Sequence, residues 1–215
     1  MESALSMTPS SNAAETIHLP ERSFDEALEA SRVMPHPERG VTLRNGASAR
    51  IRAIRPDDET RLMALCRRLS PRTVYQRFFS VRRLLPAEAH AFANVDYDRR
   101  MAVVAEIDDG QEPELIGVAR YGPSDEGPAD IGIVVADAWQ GLGLGPLLLE
   151  EILQAGEQRG IHEFSADALT ENARALRLLA RHTAIARRTV ASGVTSVVFS
   201  RRADSALEIT RHGRS

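Results

Sequence analysis

The 215-residue sequence predicts a mixed α/β fold, with a mostly antiparallel sheet flanked by helices in a single domain. Three observations predict it. The elements run strand, helices, three strands, helix, strand, helix, two strands, whereas a doubly wound sheet would alternate strand and helix throughout. A meander of β-rich runs between residues 101 and 135 precedes one strand–turn–helix unit ending near residue 158. The composition, 43% hydrophobic and 27% charged, is that of a globular chain.

Residues 1–40 show little sustained periodicity and several Ser, Pro and Glu. They read as a disordered or partly helical N-terminal extension, with a short helix over Phe24–Ala30 capped by Ser23. The domain is expected over residues 41–202, and residues 203–215 as a flexible C-terminal tail. Ala49–Ile54 alternates small or apolar with charged residues, as a half-buried strand does. Arg55-Pro56-Asp57-Asp58-Glu59 opens a helix with acids near its positive end, and Leu62, Leu65, Cys66 and Leu69 give its apolar face. Ser70-Pro71 starts a second helix, with Pro where a missing N–H costs little, and a third short helix follows Pro86. Met101–Ala105 and Leu115–Ala119 read as a hairpin through Asp108-Asp109-Gly110, and Ile131–Val135 as a third strand. Leu144–Gln158 carries the strongest helical period. Phe164–Ala168 reads as a strand and Asn172–Arg181 as a helix. Ile185–Ser200 reads as two β-runs joined through Ala191-Ser192-Gly193.

Composition excludes several function classes. No apolar run approaches the roughly 20 residues of a membrane-spanning helix, and the Met-Glu-Ser start lacks a secretory pattern. The one cysteine, Cys66, has no partner for an internal disulfide, which fits a cytoplasmic location and a packed thiol rather than a nucleophile. The net charge of −3 and the 5% aromatic content argue against nucleic acid as a partner. The six histidines form no pair at metal spacing, and no Ser sits in a Gly-x-Ser-x-Gly elbow. Residues 44–100 hold thirteen Arg against six acids, either a basic face for an anion or a solvated helical surface. All 27 basic residues are Arg. An enzyme of this sequence that acylates lysines has none of its own to modify.

The informative segment runs from Asp130 to Pro146. It is an apolar strand, a short turn holding Gly141, Gly143 and Gly145, and a Leu-rich helix. Glycines let the main chain take φ > 0 and approach a ligand closely. The helix start adds unpaired N–H groups and a positive dipole end, an arrangement suited to a pyrophosphate. The glycines alone also fit a turn that only packs strand against helix. The spacing is not that of a dinucleotide fingerprint, and a P-loop needs a Lys that the chain lacks.

Gln140-x-x-Gly143-x-Gly145, with its Asp137-Ala138-Trp139-Gln140 lead-in, resembles the acyl-CoA signature of the GNAT acetyltransferase superfamily. The resemblance extends from about Arg50 to Phe199. Several stretches are similar to bacterial Pat-type protein lysine acetyltransferases, which modify acyl-CoA synthetases. They are Ile54-Arg55-Pro56-Asp57-Asp58, Leu69-Ser70-Pro71, Tyr75–Ser80, Asp96-Tyr97-Asp98-Arg99 and Glu171–Leu176. The resemblance implies acetyl-CoA as co-substrate. It implies contacts of the pantetheine arm with Ile133, Val134 and Val135, where a strand amide also serves a developing oxyanion. Gln140, Gly141, Leu142, Gly143, Leu144, Gly145 and Pro146 form the pyrophosphate turn. Pro146 stands where Ser or Thr is common and brings neither N–H nor hydroxyl, so the remaining main-chain amides carry the site. The Asn172 side chain is expected to reach the cofactor, to cap its helix, or both.

An alkylammonium, which ordinarily titrates at a pKa of about 10.4, must lose a proton before it attacks a thioester. Pat-type enzymes use a Glu near the start of the strand, and Asp130 occupies the matching position, one methylene shorter. That shortening favours a water relay. Asp130 equally fits the end of a turn after Gly127-Pro128-Ala129, and Asp96 and Asp98 are the rival carboxylates. No Tyr follows the last helix as a general acid. His182 stands nearby as a donor or a surface residue, and a coenzyme A thiolate needs no protein acid. The expected function is acetyl transfer to a protein lysine on an acyl-CoA-synthetase-type target by direct attack, with no metal, nucleic acid or membrane. The chain is expected to act as a monomer or homodimer. Acetylation of a small amine and non-catalytic acyl-CoA sensing are the alternatives. The large synthetase-like or cyclic-nucleotide domain that such relatives often carry is absent from these residues, so control by one in cis is not expected.

Overall fold

The computed structural model describes residues 36–80, 82–108, 110, 113–124 and 127–202. The expected N-terminal helix, most of the extension, Asp109 in the hairpin turn and the C-terminal tail lie outside them. Eight strands form one sheet in the order β1 (Arg39–Thr42), β2 (Ser48–Ala53), β3 (Met101–Ile107), β4 (Glu114–Gly122), β5 (Ala129–Val135), β6 (Phe164–Leu169), β8 (Val194–Arg201), β7 (Thr183–Ala191). Every neighbouring pair is antiparallel except β5 and β6. Helices α1 (Glu59–Arg67), α2 (Pro71–Phe78) and α3 (Pro86–Ala93) follow β2. Helix α4 (Leu144–Glu157) follows β5, and α5 (Ala173–His182) follows β6. The single mixed domain expected from the element order is the one observed.

Two apolar clusters sit on opposite faces of the sheet. Ile51, Met101, Val103 and Ile116 pack with Leu148 and Ile152 of α4. Ala102, Val104 and Leu115 pack with Leu62 and Leu65 of α1. Strand β3 is therefore buried on both sides, which explains why Met101–Ala105 is apolar without alternation. Ser192 and Gly193, at φ 49° and 80°, close the β7–β8 hairpin with the paired positive φ that suits a right-twisted ribbon.

Three sequence readings change. Packing begins before Val41: His36 is buried with Nε2 2.8 Å from Glu151 of α4, and Arg39 reaches the same carboxylate at 3.1 Å. Alternation in β2 implied two solvated arginines, yet only Arg50 is exposed. Arg52 is buried beneath the helical layer, where Asp58 and Glu106 neutralise it. The basic stretch is also no uniform charged face. Arg50, Arg52, Arg55, Arg61, Arg68 and Arg82 all pair with carboxylates of the same chain.

Candidate active site

Strands β5 and β6 pair only at Ala129–Phe164 and Asp130–Ser165, then part. Residues 131–135 continue along β4 with no partner strand on the other edge. The sheet therefore opens past Asp130, and the unpaired edge of β5 leads on to the glycine turn. The register decides which amides line the opening. The Ala136 N–H donates to the Ile116 carbonyl, so alternate residues 134, 132 and 130 also bond β4. Ile133 and Val135 therefore turn their N–H and C=O groups toward the opening. The Val134 amide, expected at the pantetheine arm, is engaged with β4 instead, and its side chain is buried in the core cluster with Leu62 and Val104.

The turn is built as its glycines require. Gly141 and Gly143 have φ of 81° and 95°, and Gly143 is the N-cap residue of α4, with no side chain to occupy the helix N–H groups. Leu144 and Gly145 open the first turn, and Pro146 sits third. The Leu142 carbonyl accepts from the Arg44 N–H at 3.1 Å, which ties the β1–β2 loop to the turn. Val at position 143 would force a β-branched residue into positive φ, at a cost of about 1–3 kcal/mol. A Cβ there would meet only Arg44 at 3.7 Å, an ordinary contact, so misdirected amides rather than a clash would cause the damage. Gly143→Val is expected to weaken coenzyme A binding at least about tenfold in calorimetry. Unchanged affinity would refute this role.

Gln140 holds the turn rather than presenting its side chain freely. Its Nε2 donates to the Val135 carbonyl at 3.0 Å and to the Thr73 hydroxyl at 3.2 Å, and Arg174 of α5 donates to its Oε1 at 2.5 Å. Asp137 accepts from the Ser70 N–H, the Ser70 hydroxyl and the Thr73 hydroxyl. Against a burial cost, those bonds hold its carboxyl below the usual range. This clamp between α2 and the turn was not assembled from the sequence, although Ser70-Pro71 and Asp137 were each visible in it. Asn172 caps α5, accepting from the Ala175 N–H at 3.2 Å through Oδ1. Its amide nitrogen remains able to donate.

Asp130 is exposed on β5, with Arg77, Arg120 and Asp167 as its charged neighbours. Partial desolvation by the surrounding chain raises its carboxyl above the usual range. Arg77 opposes that shift, Asp167 adds to it and Arg120 opposes it. The rival carboxylates differ. Asp96 accepts from the Asp98 and Arg100 amides, and the Asp98 carbonyl accepts from the Tyr121 hydroxyl, so both shape the loop before β3. His182 lies in the last turn of α5. Among the described residues, no cluster of three or more His, Cys, Asp or Glu could hold a metal, and no helix is long and apolar enough to cross a membrane.

Residues 70–183 match the model of the acetyltransferase (GNAT) family. Acetyltransferase PA5475 of Pseudomonas aeruginosa is 30% identical over 135 residues, 61% of this chain and 73% of that protein. Acetyltransferase Pat of Mycolicibacterium smegmatis is 28% identical over 164 residues, covering 73% of this chain but 47% of that longer protein. The chain thus spans about half the length of that relative. The crystal structure of the GNAT domain of S. lividans PAT superposes with a TM-score of 0.67 at 30% identity, over 76% of this chain and 96% of that domain.

Proposed function

The chain belongs to the acetyltransferase (GNAT) family, and from that premise we propose that it moves acetyl from acetyl-CoA to a protein lysine side chain. The target would be of the acyl-CoA synthetase type, and the protein would work in the cytoplasm as a monomer or homodimer. One observation carries the reading: the sheet opens immediately after Asp130, and the strand leaving that carboxylate runs directly into the glycine turn. Likeness to the S. lividans PAT domain, over nearly all of that domain, supports the acceptor class.

The thioester supplies an activated acetyl carbonyl. Asp130, one methylene shorter than the Glu of Pat-type enzymes, accepts the ammonium proton through a bridging water. The free amine attacks the carbonyl carbon. The C–N bond forms, the C–S bond breaks with its electron pair on sulfur, the new amide nitrogen gives up its extra proton to solvent, and the thiolate is protonated from solvent. The amides of Ile133 and Val135 are the donors facing that carbonyl, and those of Gly143, Leu144 and Gly145 face the pyrophosphate.

Mass spectrometry on an acyl-CoA synthetase and on a panel of small amines, both with acetyl-CoA, tests the acceptor. The expected result is acetylated lysine in the synthetase. Because the enzyme contains no lysine, the side-chain label cannot be its own. Transfer to small amines alone would overturn the protein-substrate reading. Binding of acetyl-CoA without any turnover would replace it with a sensor.

A further inference from the structure

Two half-buried arginines near Asp130 lack the close carboxylate partners that the buried Arg52 has. Arg120 on β4 and Gly132 on β5 are register partners. Gly132 leaves room for the guanidinium of Arg77 from α2, and a Cβ built at Gly132 would collide with it. Arg120 lies over the Phe92 ring, 3.9 Å from its centroid. Both arginines line a cavity otherwise walled by apolar groups, among them Ile54, Leu62, Val118 and Val134. Among the described residues neither guanidinium makes a hydrogen bond, and no carboxylate lies within 4.0 Å of either. Arg52, by contrast, is met by both Asp58 and Glu106.

Crowding two guanidiniums into a poorly solvated cavity is unfavourable without an anion between them. Burial takes Arg120 down to about 10, Arg77 adds to that fall, and Asp130, beyond ion-pair distance, opposes it. Burial likewise lowers Arg77, against the pull of Asp130. The planar donor fork of arginine matches a carboxylate in two parallel bonds. The cavity adjoins β5 at Gly132 and Val134, beside the proposed base and the proposed acyl position.

Resting on the acyl-transfer reading above, we infer that Arg77 and Arg120 form a carboxylate subsite for the reacting pair. The carboxylate comes from the free end of an ω-carboxyacyl thioester or from a group beside the acceptor amine. Asp130 then stands next to a site whose occupation cancels the surplus positive charge.

The full chain is assayed with acetyl-CoA against succinyl-CoA, and with lysine peptides differing only by Glu or Gln beside the acceptor. One arm is expected to favour the carboxylate in kcat/KM by about tenfold or more, the scale of a charge-assisted hydrogen bond. The arm that responds identifies the source. Arg120→Gln should bring that ratio close to one, and Arg77→Lys, which keeps charge but loses the fork, should reduce it. Should either variant unfold, as read by circular dichroism, the wild-type ratios decide. Ratios near one in both arms, or ratios unmoved in folded variants, overturn the subsite while leaving acyl transfer standing. Failure to bind or use any coenzyme A thioester overturns the acyl-transfer reading and the subsite with it.

Discussion

Asp130→Asn should lower kcat by about 10²–10⁴, the usual contribution of a positioned general base, with little change in acetyl-CoA affinity. It should also keep the wild-type melting temperature or exceed it. The second expectation follows from the sign of the carboxyl's shift. Its folded pKa is raised, chiefly by partial desolvation on β5. An acid raised in this way favours the fold when protonated, and that contribution is lost as pH rises through the folded value. At neutral pH the ionised side chain is thus a burden on stability, which suits a residue kept for chemistry. The same shift places the acidic limb of the kcat/KM profile above the ordinary Asp range of about 3.9. That limb should vanish in Asp130→Asn. Steady-state rates across pH, read beside thermal melts, check both parts. A variant that loses stability and activity together would assign Asp130 a structural role.

The sequence revealed those parts of the site that depend on backbone conformation. Gly141 and Gly143 occupy positive φ, a requirement written in the residue itself. Asn172 caps its helix as its type suggests. Asp130 was visible only through the resemblance, because Gly127-Pro128-Ala129-Asp130 reads equally well as a turn. What could not be read was pairing across the fold. Arg52 and Arg50 are identical in the strand pattern, yet one is buried and the other is not, because a helical layer covers one face of β2. Likewise Arg77 stood in a recognisable stretch and Arg120 in none. The sequence could not tell that the Arg77 guanidinium lies over Gly132, the register partner of Arg120, or that both arginines line one cavity. The short strand β1 also escaped notice, since four exposed or half-exposed residues carry no alternation.

Arg52→Met should destabilise the fold by about 3–5 kcal/mol at neutral pH, the cost of leaving buried charge without its partner. Arg52 holds Asp58 with two bonds of 2.7 and 2.8 Å and reaches Glu106 from two nitrogens. All three side chains are at most 3% exposed. Arg61 and Arg50 touch the rim of the cluster but cannot replace the central guanidinium. Burial raises both carboxyls, and the bonds from Arg52 more than reverse it, so both end below their usual values. An acid lowered in this way stabilises the fold above its unfolded pKa, and the contribution is lost as pH falls through the folded value. For Asp58 and Glu106 that loss lies below their ordinary values of 3.8 and 4.5. Without Arg52 the burial effect dominates, the carboxyls move upward, and protonation relieves them. The gap between wild type and variant should therefore be widest near neutrality and narrow as the medium becomes acidic. Denaturant melts at about pH 7 and about pH 4.5, on either side of that change, measure it. A gap independent of pH would show that packing rather than charge is lost. The consequence reaches the site because Asp58 anchors the start of α1 to β2, and α1 supplies Leu62 and Cys66 to the cavity wall beside Arg77. Loosening that anchor lets the helical layer drift from β5, so turnover should fall in Arg52→Met even at temperatures where the protein remains folded.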